Sequence, residues 1–288
     1  MKKIISVLTL ALITASAQAF DWPQEKVVQA DQFYSYFGQL RGDTISNSLI
    51  FSEPSEIKAA DDGKVIVFIN DFSDATDFFP STLGNAVIIA HQDKLLTVYA
   101  NIDSESIEQD IFTDEEIKTG HRLGISGNSA WQQGRSSLEF QVIDTKDNTA
   151  INPRLLMPRV GKELSLYYNE VYLQDKNGRN FNVSSQTTLP KGIYRIYKKR
   201  QVAAAPYKTR VSINGAIEDN ISYDILRQDD GQICVSGKKN YPKNILYPND
   251  ELQLMGEATL PKGKIALQLT LFDILGKETP ATYLLTVY

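Results

Sequence analysis

An all-β fold is what this chain predicts, and three observations carry that expectation. Short apolar runs rich in β-branched residues recur along it, clusters of Gly, Asn and Asp separate them, and apolar residues repeat with the period of two that a strand requires. Only residues 104–118 offer a helical turn or two, and that acidic stretch reads better as an exposed connection.

The first nineteen residues stand apart from the fold. Lys2 and Lys3 precede an apolar run over residues 4–13, broken only by Ser6 and Thr9, and Ala17-Gln18-Ala19 precedes Phe20. A positive start, an apolar centre and small residues at the end form the pattern of a secretory signal peptide cleaved after Ala19. The apolar run is about half of the roughly 20 residues a membrane span needs. No cysteine lies near the cleavage point to accept a lipid, and no later stretch is apolar enough to cross a membrane. The expectation is an exported protein, periplasmic or otherwise outside the cytoplasmic membrane.

The strands follow in order. Residues 20–32 read as an N-terminal linker. Lys64-Val65-Ile66-Val67-Phe68-Ile69 is opened by Asp62-Gly63, and Ala86-Val87-Ile88-Ile89-Ala90 by Gly84-Asn85. Residues 95–100 and 138–143 have the same character. Pro153 and Pro158 flank Leu155-Leu156-Met157 and Gly161 follows, which marks a boundary and divides the chain into domains of 33–160 and 161–288. Beyond it, Ile265, Leu267, Leu269 and Leu271 share one strand face, as do Tyr283, Leu285 and Val287. Asn177-Gly178 and Asp230-Gly231 are hairpin turns. Thr188-Leu189-Pro190-Lys191-Gly192 returns as Thr259-Leu260-Pro261-Lys262-Gly263, each copy a tight corner feeding a strand. This spacing of strands suggests a sandwich of two antiparallel sheets.

Charge excludes one class of partner. The net charge is −5, and loss of Lys2 and Lys3 makes it two units more negative. Nucleic acid is disfavoured, because phosphate binding needs basic patches. The one basic cluster, Lys198-Lys199-Arg200, follows a strand and reads as a solvated edge or turn. The single cysteine, Cys234, lies in a strand-like run and reads as a small core residue.

Residues 33–158 resemble the LytM-type (M23) zinc endopeptidases, which cut peptide cross-links in bacterial cell walls. The phrases that carry the resemblance occur in the family's order: Phe37-Gly38-Gln39-Leu40-Arg41, then Ile57-Lys58-Ala59-Ala60-Asp61-Asp62-Gly63-Lys64-Val65, Val87-Ile88-Ile89-Ala90-His91, Thr97-Val98-Tyr99-Ala100-Asn101-Ile102, the loop Gly120-His121-Arg122-Leu123-Gly124-Ile125-Ser126-Gly127-Asn128-Ser129, Leu138-Glu139-Phe140-Gln141-Val142, and Ile151-Asn152-Pro153. The resemblance implies a small antiparallel LytM/M23-like β domain with a groove. The second half resembles in general pattern the immunoglobulin-like sandwiches of envelope proteins.

The same resemblance locates the missing chemistry. A catalytic zinc takes three protein ligands and a water. The family's first His and Asp fall on Thr44 and Ser48, or on Ser46 and Ile50, according to where a short deletion is placed. Its H-x-H becomes Ser137-Leu138-Glu139, and its Tyr-Ala-His becomes Tyr99-Ala100-Asn101. The chain has two histidines, His91 and His121, and neither occupies a ligand position. No catalytic residue and no metal site is therefore expected. His91, Asn101, Ser137, Glu139 and Trp131 are the groove or binding candidates. A rebuilt zinc site would need Glu139 and His91 on neighbouring strands over one groove, with Asp43 recruited as a third ligand. The plainer readings are a strand-end histidine bonded to backbone and a Glu139 that is solvated or paired. Phe78 and Phe79, with Trp131, fall in loops able to rim the groove or fold back on the core.

The expected function is that of an inactive M23-like domain that binds peptidoglycan peptide or an envelope protein, with no cofactor, and that regulates wall hydrolases. Two alternatives stand beside it: an active metalloendopeptidase with zinc on non-standard ligands, and a purely structural envelope protein whose groove is closed by loops 71–83 and 104–118.

Overall fold

Strands whose two faces are both apolar must be covered on both sides, and the central runs of the first half are of this kind. The computed structural model describes residues 20–24, 30–70, 81–113, 116–132, 134–159 and 161–288. The signal-peptide pattern and Phe78 and Phe79 lie outside the described residues. The first half is built on β1 (Leu49–Phe51), β2 (Lys64–Ile69), β3 (Ala86–Ala90), β4 (Leu95–Ala100) and β5 (Glu139–Asp144), side by side as β2-β3-β4-β5-β1, every pair antiparallel. Val87 and Ile89 of β3, Tyr99 of β4, and Phe140 and Val142 of β5 point to the larger core, with Leu49 and Phe51. Ala86, Val98 and Ala100 point to a smaller cluster on the other face. Because side chains alternate, that second face is also where Glu139 lies, directly opposite Ala100 in the register.

Two segments pack more closely than the sequence suggested. Phe20, in the expected linker, is buried in the larger core, and the Trp22 indole N–H donates to the Pro158 carbonyl. Residues 104–118 correct the expectation of a mere exposed connection. They carry two 3-10 turns, Ser104–Ser106 and Asp110–Phe112, and bury Ile107, Ile111 and Ile117 in the same core. Those isoleucines are spaced irregularly, so no period announced them.

The second half is a sandwich. One sheet holds β7 (Val171–Asp175), β8 (Asn180–Asn182), β9 (Gly192–Lys199) and β13 (Leu252–Leu260), in the order β8-β7-β9-β13. The facing strands are β10 (Lys208–Ile213), β11 (Ala216–Asp229), β12 (Gln232–Ser236), β14 (Gly263–Phe272) and β15 (Glu278–Val287). Ile265, Leu267, Leu269 and Leu271 are buried between the sheets with Ile196, Met255 and Ala258, as their shared face required. Both Thr-Leu-Pro-Lys-Gly phrases are corners that carry the chain from one sheet to the other, and each buries its leucine. The strand Thr188–Leu189 adds to β15 in parallel, a departure from a purely antiparallel sandwich. Cys234 is buried in β12, and Asp230-Gly231 turns with positive φ at both residues.

The halves are not separated by a free linker. Strand β6 (Thr149–Ile151) pairs with β5 on one side and with Ile225, Leu226 and Arg227 of β11 on the other, so one sheet runs through both halves. A third core sits at the junction. There Phe37 and Ile45 of the first half pack with Tyr197, Ile221, Tyr223 and Tyr247 of the second. The Arg154–Glu163 ion pair, almost wholly buried, ties the two sides of the expected boundary together.

The basic cluster requires a correction. Lys198 is not at a solvated edge: it lies within β9, paired on both sides, and is 1% exposed. A single sequence cannot tell an inner strand from an edge, and three successive cations normally mark the latter.

Candidate functional site

Strand β5 and the hairpin Leu40–Arg41/Thr44–Ile45 bring together the positions that the family resemblance singled out. Ser46 and Ser48 are buried, their hydroxyls 3.2 Å apart, and the Ser46 hydroxyl also lies 3.2 Å from the Ser48 carbonyl. Ile50 is buried beside Glu139 in the β-ladder. Glu139 is 4% exposed, and a carboxylate so placed is costly unless it is paired and hydrogen-bonded. It is both. Arg41 Nη1 donates to Oε1 at 2.8 Å, Gln132 Nε2 donates to Oε2 at 3.1 Å, and Gln141 Nε2 reaches Oε1 at 3.5 Å. A guanidinium thus supplies the positive charge that this carboxylate requires.

Zinc does not fit this donor set. Serine hydroxyls and an isoleucine stand where imidazole and carboxylate would be needed, and both oxygens of Glu139 are already accepting hydrogen bonds. Among the described residues no group of three His, Cys, Asp or Glu side chains is placed to hold a metal. Asp43 faces solvent and pairs with Lys243.

Asn101 is a clamp. It adopts φ +66°, a left-handed conformation that asparagine tolerates better than most residues. Its Nδ2 lies 2.9 Å from the Arg135 carbonyl, 2.8 Å from the Ser137 carbonyl and 3.3 Å from Gln132 Oε1, and its Oδ1 accepts from the Ala130 amide at 2.8 Å. Asn101 is fully buried, and so very nearly is Ser137, whose hydroxyl reaches the Ser52 carbonyl at 3.4 Å. These two residues therefore support the wall of the site and present no side chain to a ligand. Through Gln132, Asn101 and Glu139 belong to one hydrogen-bonded network.

His91, named among the groove candidates, stands elsewhere and shares no groove with Glu139. It continues β3 with the alternation of Val87 and Ile89, so it points to the opposite face of the sheet, and it lies at the opposite end of the ladder. Its Nδ1 is 2.7 Å from the Asp62 carbonyl and its Nε2 is 2.8 Å from the Thr97 hydroxyl. That hydroxyl donates to Tyr99 Oη at 3.2 Å, and Phe20 packs on the imidazole ring. This is the strand-end histidine of the plainer reading. Nearby, the exposed Asp62 carboxyl accepts from the Thr119 amide and hydroxyl and from Lys118, which holds its pKa down to about 2.

An open cleft of about 270 Å³ lies beside Arg41, between the two halves. Tyr34, Gln39, Arg41, Trp131 and Gln132 line it from the first half, Arg200 and Val202 from the second. Trp131 is 56% exposed and lines this cleft. Arg135 stacks on Tyr34, its guanidinium carbon 3.9 Å from the ring centre. The sequence reading missed Tyr34, Gln132 and Arg200. Arg41 lay inside a quoted motif, and Arg200 lay in the basic cluster, so a signal existed for both. Only the fold shows that they meet.

The model of peptidase family M23 matches residues 47–153, and a second family model, which carries no description, matches residues 165–288. An uncharacterized protein of Treponema pallidum (strain Nichols) is 33% identical over 136 residues, covering 44% of this chain and 89% of that protein. Among solved structures, a chain of the SpoIIIAH and SpoIIQ complex is 20% identical with a TM-score of 0.32, over 49% of this chain and 90% of its own. A zinc-containing peptidase from Vibrio cholerae is 22% identical with a TM-score of 0.34, over 43% and 36%.

Proposed function

Since the chain belongs to peptidase family M23 through residues 47–153, we propose that it is a non-catalytic, exported member that binds peptide, either the peptide of peptidoglycan or a segment of an envelope protein, at the junction of its two halves. One observation carries this reading: Glu139, at a metal-ligand position of the family, is neutralised by Arg41. A hydrolytic site needs a polarising cation with an open coordination position. Here a guanidinium, which offers no coordination position, takes the role of charge partner. The signal-peptide pattern of residues 1–19 supports export, and among the described residues no helix is long and apolar enough to cross a membrane.

The test has two arms. The purified chain is analysed for zinc by atomic emission, and it is sedimented with purified peptidoglycan and with its soluble peptide fragments. The expected result is binding without stoichiometric metal and without release of new amino termini. Stoichiometric zinc that is lost in Glu139→Gln would sink the proposal. A purely structural role is favoured by the burial of Asn101 and Ser137. It becomes the better reading if neither peptidoglycan nor any envelope peptide is retained.

A further inference from the structure

The cleft between the halves has a chemistry of its own. Two of its lining side chains are guanidinium groups, from Arg41 and Arg200, and among the described residues no aspartate or glutamate lines it. Glu139 offsets Arg41 from behind the wall, so Arg200 leaves the cleft net positive on a chain whose net charge is −5. The cations are held in place. Arg41 spends Nη1 on Glu139, behind the cleft wall. Arg200 spends Nη1 on the Leu40 carbonyl at 3.2 Å, across the junction, while its Nε is buried with no hydrogen-bond partner among the described residues. Tyr34 and Trp131 supply flat apolar walls, and Gln39 and Gln132 supply amides. The positive potential near Arg200 reaches Lys198, whose pKa is held down to about 8, first by burial and then by Arg200.

We propose that this cleft is a carboxylate-recognition site, in which Arg41 and Arg200 grip the free C-terminal carboxylate of a short peptide while Tyr34 and Trp131 flank its last side chain. The planar fork of arginine matches a carboxylate through two parallel hydrogen bonds. The volume suits about one or two amino-acid residues, small for most ligand pockets, which matches the end of a chain. The proposal rests on the peptide-binding reading and deepens it. It makes both halves parts of one site, because Arg41 comes from the M23 half and Arg200 from the sandwich.

Isothermal titration of the full chain tests this, with N-acetyl-trialanine bearing a free carboxylate, the same peptide as its C-terminal amide, and inorganic phosphate. The acid is expected to bind at millimolar concentration, to weaken as salt is raised, and to shift the Trp131 indole resonance. The amide should bind at least tenfold more weakly. Arg200→Gln should cost about tenfold, and Arg200→Lys should recover part of that, since charge returns without the fork. Thermal melts of both variants separate loss of binding from loss of fold. Acid and amide binding alike, or phosphate binding more tightly than the acid, would overturn the carboxylate assignment. If acid and amide bind alike and Trp131→Ala abolishes both, peptide binding stands and only the carboxylate inference falls. If no peptide binds, the inference falls with the reading beneath it.

Discussion

Arg41 and Glu139 are unequal partners. The Glu139 side chain is 5% exposed and that of Arg41 is 31% exposed. Removing the arginine strands a buried carboxylate, whereas removing the carboxylate leaves a guanidinium that water reaches. Arg41→Ala is therefore expected to cost about 3 kcal/mol of stability, and Glu139→Gln under about 1 kcal/mol. The double variant should recover most of the loss from Arg41→Ala. Urea denaturation of the three variants measures this, and equal losses from the two single changes would contradict it.

Lys198 offers a second residue-scale prediction, in pH. Its folded pKa, about 8, lies below the ordinary 10.5, so burial opposes the charged form. The cost is full below pH 8, where the lysine is charged in both states. It disappears as pH rises towards 10.5, because the folded chain has already lost its proton while the unfolded chain still binds one. Lys198→Met should stabilise the protein at pH 7 by on the order of 2 kcal/mol and do little near pH 10.5. Melting curves at the two pH values decide the matter, and an equal gain at both counts against it.

At the scale of elements, the sandwich is fastened at Asp219, a buried carboxylate in β11. Its Oδ1 accepts from the amides of Asn220 at 2.8 Å and Lys238 at 2.6 Å, and its Oδ2 from the Glu257 amide at 2.9 Å and from the Tyr241 hydroxyl. One side chain thus joins β11, the turn after β12, and β13 of the opposite sheet. Gly256 makes room for it: a Cβ there would come within 2.8 Å of Val211 Cγ2 and 3.0 Å of Asp219 Cβ. Asp219→Asn replaces an acceptor with an NH2 group that faces donors, leaving buried groups unpaired. The expected loss is about 2 kcal/mol or more, read from urea denaturation. A change within experimental error would show that the surrounding backbone finds other partners.

The whole molecule is predicted to unfold as one unit. Strand β6 is shared by both halves, and Phe37 reaches from the first half into a core built mostly by the second. Phe37→Ala should destabilise by about 3 kcal/mol or more and should lower the transition of both halves together. Calorimetry with an enthalpy ratio near unity is expected, and two separate transitions, of which only one moves, would refute it.

Much of this was legible in the chain. The all-β class, the strands β2, β3, β4 and β14, the Asp230-Gly231 turn and the sheet-crossing corners followed from local alternation and turn chemistry, which depend only on neighbours in sequence. Resemblance located the metal positions and put Glu139 among them. Neither the face nor the partner of a side chain is local. Whether His91 meets Glu139 depends on the pleat and register of two further strands, and Arg41 finds Glu139 only because a hairpin folds against β5. Arg200 enters the cleft because it follows β9 and donates across the junction to the Leu40 carbonyl. The sequence alone determined that the M23 positions had lost their imidazoles. Only the tertiary structure decided that a guanidinium pairs with Glu139 and that a cleft lined by Arg41 and Arg200 opens between the halves, because contacts between residues some 160 positions apart are set by packing and not by pattern.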